Sequence, residues 1–247
     1  MTDQTHVLNA ALPGDPLGLG AQDASDSADR ESQSIGGPGP ARCADRVRAR
    51  MTFADGHAWV PVRRLASKHR RQVREHLLAL TPEDLMLRFG HASTPAQLER
   101  YTLSLDFESD EIFGVFNRRL RLVALGHLAL DSQEGVGELG LSVLASTRGR
   151  GLGRQLFGHA ARLARNRGAH ELVLQIAADN AGMLAIIRHA GATLTQAGGE
   201  VTARLALDAA TWGTQLEAHV DAQVAELDFR LKLELLRADR RWHAIVS

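Results

Sequence analysis

The chain has 247 residues, with 29 Lys plus Arg against 29 Asp plus Glu and a formal net charge of zero. That balance argues against a protein built to grip nucleic acid, whose phosphate contacts need concentrated positive charge. A single cysteine, Cys43, excludes an intrachain disulfide and a cysteine metal cluster. None of the eleven histidines falls at a metal-binding spacing, so no metal is expected. No apolar run reaches the length of a membrane helix. The first residues lack the basic-then-apolar order of a secretion signal, so the expected location is cytoplasmic, away from a membrane.

Residues 1–42 carry Pro13, Gly14, Pro16, Gly18 and Gly20, then a Ser/Asp-rich stretch, then Gly36-Gly37-Pro38-Gly39-Pro40. Little apolar surface is available there to offset backbone ordering, and a disordered tail is expected. A linker over 43–57 leads to a folded unit over 58–207. Trp59–Arg63 reads as a short edge strand because of Pro61, and Ala66–Leu80 as a helix. Thr81-Pro82-Glu83-Asp84 reads as an N-cap, a first-turn proline and an acidic first turn. Thr94-Pro95 opens another helix. Strands are expected at Glu111–Phe116, Leu120–Leu130, Glu138–Leu144, Glu171–Ala177 and Val201–Leu207. Asn180 caps a helix that Gly191 ends. This order predicts an α/β unit: a mixed central sheet flanked by helices.

The stretch with the most chemical content is Arg148-Gly149-Arg150-Gly151-Leu152-Gly153, between the strand ending at Leu144 and an amphipathic helix. Gly151 and Gly153 open backbone angles closed to other residues and allow close approach of a ligand. The first-turn N–H groups of the helix have no intrahelical partner and face an anion with the helix dipole behind them. Arg148, Arg150 and Arg154 add positive charge around the same point. The glycine spacing does not fit a dinucleotide fingerprint, and no lysine-hydroxyl ending makes it a nucleotide-triphosphate loop. The pattern therefore points to a pyrophosphate; the alternative is a Gly- and Arg-rich turn that merely starts a surface helix.

These features resemble the GCN5-related N-acetyltransferase (GNAT) superfamily over residues 58–207. The resemblance rests on the Arg/Gln-x-x-Gly-x-Gly/Ala signature, here Arg148, Gly151 and Gly153, and on the segment Asn180 through Ala192. Arg63 and Leu80–Phe89 look more like the acetyltransferase domain of bacterial protein-lysine acetyltransferases. The resemblance implies the acyl-CoA N-acyltransferase fold, with acetyl-CoA as cosubstrate. Its pyrophosphate would lie on Arg148, Gly149, Arg150, Gly151, Leu152, Gly153 and Arg154, and its pantetheine along the preceding strand at Val143 and Leu144. Asn180 would face the same region. The acceptor would be an amine-bearing small molecule or a protein lysine.

Direct transfer needs a neutral amine, a route for its proton and stabilisation of charge on the thioester carbonyl. Glu138 is the candidate base, because it begins the strand leading into the turn and its place resembles that of a glutamate in the lysine-acetylating subgroup. The N–H of Val143 or Leu144 would polarise the carbonyl. Many relatives carry a tyrosine where this chain has Ile187, and the sole tyrosine, Tyr101, lies far upstream, read as packing with its hydroxyl at the surface. Little or no turnover by an acyl-CoA-binding regulator is therefore the alternative. Residues 208–247 read as a long C-terminal helix, with Leu216, Val220, Val224, Leu227 and Leu231 on its main face. Packing of that face back on the domain is expected, with a homodimer as the alternative.

Overall fold

The computed structural model describes residues 60–246, with side chains described to residue 239. The tail over 1–42 and the linker over 43–57 lie outside the described residues. Seven strands form one sheet: β1 (Arg63–Arg64), β2 (Glu111–Phe116), β3 (Leu122–Asp131), β4 (Val136–Val143), β5 (Glu171–Ala177), β6 (Thr193–Ala197) and β7 (Glu200–Ala206). Their spatial order is β1-β2-β3-β4-β5-β7-β6. Only β4 and β5 run parallel. The helices are α1 (Arg70–Leu78), α2 (Pro82–Phe89), α3 (Pro95–Ser104), α4 (Leu152–Asn166), α5 (Ala181–His189) and α6 (Trp212–Val246).

Strand alternation sends neighbouring residues of β3 to opposite faces. Gly126 lies under the ring of Phe113, whose centroid is 4.8 Å from that of His159 on α4. The next residue, His127, instead meets Tyr101 on α3. Helix α4 thus covers one face, while α1, α2 and α3 cover the other. Side chains such as Phe113, Leu128, Leu156 and Leu172 fill the layers almost without exposure.

The helix starts follow from the sequence. Thr81 accepts from the Asp84 N–H at 3.2 Å and the Asp84 carboxylate accepts from the Thr81 N–H, a reciprocal cap. Thr94 and Gln97 repeat it at the head of α3. Gly90, at φ 73°, closes α2.

Three expectations need correction. The first strand is Arg63–Arg64 rather than Trp59–Arg63, because Val60–Val62 forms no ladder. Strand β6 was not foreseen: Thr193–Ala197 is polar and mostly exposed, and the signal for it is the Gly198-Gly199 pair that turns Ala197 back onto Glu200.

The third correction concerns α6. Its body-facing side is the line of Asp221, Ala225, Phe229 and Lys232. Asp221 takes Arg162 at 3.2 Å, Ala225 is buried, and Lys232 Nζ donates to the Phe116 carbonyl at 3.0 Å. The Phe229 ring stacks under the Arg63 guanidinium, 3.7 Å away. Leu216, Val220, Val224, Leu227 and Leu231, expected against the domain, are all exposed.

Candidate functional site

The site begins where two strands part. β4 and β5 are paired only at Val136–Glu171, Gly137–Leu172 and Glu138–Val173. Beyond Glu138, β4 continues on β3 alone and β5 on β7 alone. The Leu144 N–H donates to the Val123 carbonyl at 3.0 Å, which sets the alternation of the β3–β4 ladder. Bonded pairs alternate with unbonded ones, so the N–H and C=O of Leu141 and Val143 point away from β3 into the gap. Of the two expected polarising groups, Val143 therefore faces the gap, whereas the Leu144 N–H is already donated.

A cleft of about 630 Å³ follows this open edge to the head of α4. Leu141, Ser142, Val143, Arg148, Gly149, Gly151, Leu152, Gly153, Arg154 and Asn180, with Asp179, all contribute to its wall. Gly149 and Gly151 sit at φ 72° and 73°, the left-handed region that glycine adopts without a Cβ penalty. Gly151 is the N-cap of α4, so the N–H groups of the first turn open toward the cleft. Gly153 serves a different end from the one expected. It is helical, and a Cβ there would lie 3.2 Å from Ile186 Cδ1, so its missing side chain lets α4 approach α5.

The arginines of the turn divide. Arg148 is bound to the Asp84 carboxylate of α2 and its Nε donates to the Val143 carbonyl at 3.3 Å, so it ties the turn to α2. Arg154 lines the cleft, whereas Arg150 is exposed and outside its wall. Asn180 caps α5 by accepting from the Met183 N–H at 3.1 Å. Met183 and Ile186 present the α5 side of the cleft. Ile187, where the sequence resemblance led to the expectation of a tyrosine, is fully buried in the core.

Glu138 lines a narrower recess in the strand gap with Arg88, Gly140 and Gln175. Gln175 accepts from Thr202 at 2.8 Å. The recess and the main cleft share Arg88, Leu141, Asn180 and Met183, so they meet.

Arg88 was not singled out from the sequence beyond its place in the Leu80–Phe89 segment. Its guanidinium lies directly over Gly140, in the space a Cβ would fill. Nη2 donates to the Tyr101 hydroxyl at 3.2 Å, and the hydroxyl lies 2.8 Å from His127 Nδ1. His127 Nε2 is 2.8 Å from the Asp110 carboxylate. Burial holds His127 below its ordinary pKa against the pull of Asp110. Neutral His127 donates from Nε2 to the carboxylate and accepts the tyrosine proton at Nδ1. Tyr101 is therefore not a surface hydroxyl: burial raises its pKa, with Arg88, Asp110 and Glu138 all within electrostatic reach.

A second buried histidine touches the cleft wall. His76 Nδ1 is 3.1 Å from the Leu122 carbonyl, and Nε2 is 2.8 Å from Ser142 Oγ. Since a carbonyl only accepts, Nδ1 carries the proton and the serine donates to Nε2. Burial pushes the His76 pKa down to about 4, keeping the ring neutral. Nothing near residue 76 in the sequence marked this pairing, which crosses 66 positions.

No helix among the described residues is long and apolar enough to cross a membrane. No curated protein matches the sequence. Among solved structures, the chain is similar to the GNAT domain of PAT from S. lividans, at 20% identity over 59% of this chain and 89% of that one, with a TM-score of 0.52. It is also similar to ribosomal-protein-alanine N-acetyltransferase from Brucella melitensis, at 16% identity over 59% of this chain and 99% of that one, TM-score 0.47. A third is spermidine N-acetyltransferase from Vibrio cholerae in complex with CoA and spermine, at 15% identity over 58% and 91%, TM-score 0.47. Residues 77–192 match the acetyltransferase (GNAT) family. Family match and topology agree: this chain carries the acetyltransferase fold of the GNAT superfamily.

Proposed function

We propose that this protein is an acetyl-CoA-dependent N-acetyltransferase that acetylates a primary amine by direct attack, with a protein lysine as the leading acceptor. The carrying observation is one continuous path: the N-terminus of α4, the open edge of β4 and the recess holding Glu138 and Arg88. The open N–H groups of the α4 turn fit a pyrophosphate, and the outward N–H and C=O of Leu141 with the outward N–H of Val143 fit an amide-bearing arm. Acetyl-CoA would supply a thioester with a good leaving group.

Glu138 takes the amine proton as the new C–N bond forms, directly or through a water. The Val143 N–H faces the gap and donates to the carbonyl oxygen as its charge develops. The C–S bond breaks, and the CoA thiolate takes a proton from water, since Ile187 has no proton to give. Arg88 lines the same recess as Glu138 and brings a positive charge to it.

Ile187 also favours a second reading, an acyl-CoA-binding regulator with little turnover. One assay separates the two: CoA release and acetylated product, followed by mass spectrometry over peptide and small-amine pools. Product that disappears in Glu138→Gln while acetyl-CoA still binds supports the transferase. Saturable binding with no product supports the regulator.

A further inference from the structure

We infer that the groove between α6 and the β1 edge of the body is a second ligand site, which takes a small organic dianion such as a phosphate monoester or a dicarboxylate. The site is independent of the proposed acetyl transfer, because it shares no wall residue with the cleft at the head of α4.

The groove has a volume of about 530 Å³, within the roughly 300–1,000 Å³ that small-molecule sites occupy. Val62 and Leu163 on the body and Ala218 and Ala222 on α6 give it an apolar lining. The carboxylates on its wall, Glu111 and Glu226, are already satisfied. Glu111 is bound by Arg64 at 2.9 Å and by Arg167. Glu226 is bound by Arg63 at 2.7 Å and by Arg230 at 2.9 Å. Lys68 stands on the same wall, exposed, and no carboxylate among the described residues bonds to it. Arg63, Arg64, Arg167 and Lys68 against these two carboxylates leave the wall with a net positive charge.

The same wall holds donors that nothing uses. His69 is only 5% exposed and closes the turn before α1. Its Nδ1 accepts from the Ala66 N–H at 2.9 Å, so the ring proton sits on Nε2. Burial, with Arg63 and Lys68 nearby, holds this ring below its ordinary pKa and keeps it neutral. Among the described residues no group accepts from Nε2. Arg63 Nη1 is likewise buried without an acceptor. His159, its ring 4.8 Å from that of Phe113, lines the groove and makes no hydrogen bond among the described residues. A buried donor without a partner is costly. Unused donors beside excess positive charge select an anion over a cation or a neutral alcohol. The apolar lining between them calls for a carbon body, which inorganic phosphate lacks. A molecule seated there touches both α6 and the body, and so fastens the helix in place.

The test uses the full-length protein with isotope-labelled histidine rings, titrated with phenyl phosphate and with phenol as the uncharged control. The His69 and His159 signals, assigned with His69→Gln and His159→Gln, should shift saturably with phenyl phosphate at a Kd of about 1 mM or tighter. Phenol should leave them in place. Lys68→Gln should weaken binding at least fivefold with an unchanged Tm, because Lys68 is exposed. Ala222→Trp, which fills the groove from α6, should abolish the shifts with an unchanged circular dichroism spectrum. Arg154→Gln, in the main cleft, should not alter them. No saturable shift, or an equal response to phenol, overturns the inference. Binding that persists undiminished in Lys68→Gln and Ala222→Trp places the anion elsewhere and overturns it equally.

Discussion

The hydroxyl of Tyr101 on α3 lies 2.8 Å from Nδ1 of His127 on β3, at the centre of a chain that runs from Asp110 to Arg88. Every donor in this chain points the same way: Arg88 to Tyr101, Tyr101 to His127, His127 to Asp110. The tyrosine proton is therefore committed to the histidine, away from the cleft. Its function in the proposed reaction is to position Arg88, whose guanidinium lies over Gly140 in the recess that Glu138 also lines.

Tyr101→Phe keeps the ring against Phe89 but removes the acceptor of Arg88 and the donor to His127. Stability should fall by about 1 kcal/mol, as for other buried hydrogen bonds. Acetyl transfer should drop about tenfold, roughly 1.4 kcal/mol in the barrier. Acetyl-CoA affinity should change less than the rate, since Tyr101 itself does not line the main cleft. A rate loss that only tracks the fraction of folded protein would make the network purely structural.

Gly140→Ala attacks the same arrangement from the strand. The added Cβ would meet the Arg88 guanidinium at about 2.1 Å, so the side chain must leave its seat. The variant should fold, because the obstructing atoms end a long side chain rather than belonging to the backbone. Its kinetic defect should match that of Arg88→Gln, and the double variant should be no worse than either single one. Additive defects in that cycle would show that Gly140 and Arg88 act separately.

The turn at the head of α4 and the cap of α5, which shape the candidate cleft, were legible in the sequence because they are local. Gly149, Gly151 and Asn180 state their roles within a few residues through turn and cap chemistry. The same holds for Thr81 and Thr94, and the strands at Glu111–Phe116 and Glu171–Ala177 are framed by their own patterns. Arg88, Tyr101, His127 and Asp110 were hidden because each is ordinary where it stands, and only the register of β3 on β4, which sets His127 beside Gly140, brings them together. The α6 face was misassigned for a related reason. Its strongest apolar stripe was expected to pack inward, yet contact with Arg63, Arg162 and Phe116 selects the side carrying Asp221, Ala225 and Phe229.

Ile187→Tyr tests whether a hydroxyl placed at this point of α5 can serve the cleft. Ile187 is fully buried, while Met183 and Ile186 are the α5 residues that line the cleft. A tyrosine at 187 adds volume to a filled core, and stability should fall by about 1–3 kcal/mol. Turnover per folded molecule should not rise. An increased rate in this variant would mean that the new hydroxyl reaches the cleft and that proton delivery to the thiolate limits the wild-type protein.

The pairing of His76 with Ser142 predicts a specific acid sensitivity. The unfolded chain binds the His76 proton near 6.5, the folded protein only near 4. Between these values the unfolded state holds more protons, so stability must fall as pH drops through that window. The loss from this residue should approach about 3 kcal/mol by pH 4, at 1.36 kcal/mol per unit of pKa difference. His159, pushed by burial to about 3, acts in the same direction. Denaturant titrations at pH 7, 6, 5 and 4 should therefore show a steady decline in unfolding free energy. His76→Gln can still donate to the Leu122 carbonyl and accept from Ser142, but it carries no titrating proton. It should lower stability at pH 7 and flatten the decline by up to one proton. An undiminished slope in His76→Gln would assign the acid sensitivity to His159 and other groups, and would mean that His76 is protonated in the fold without cost.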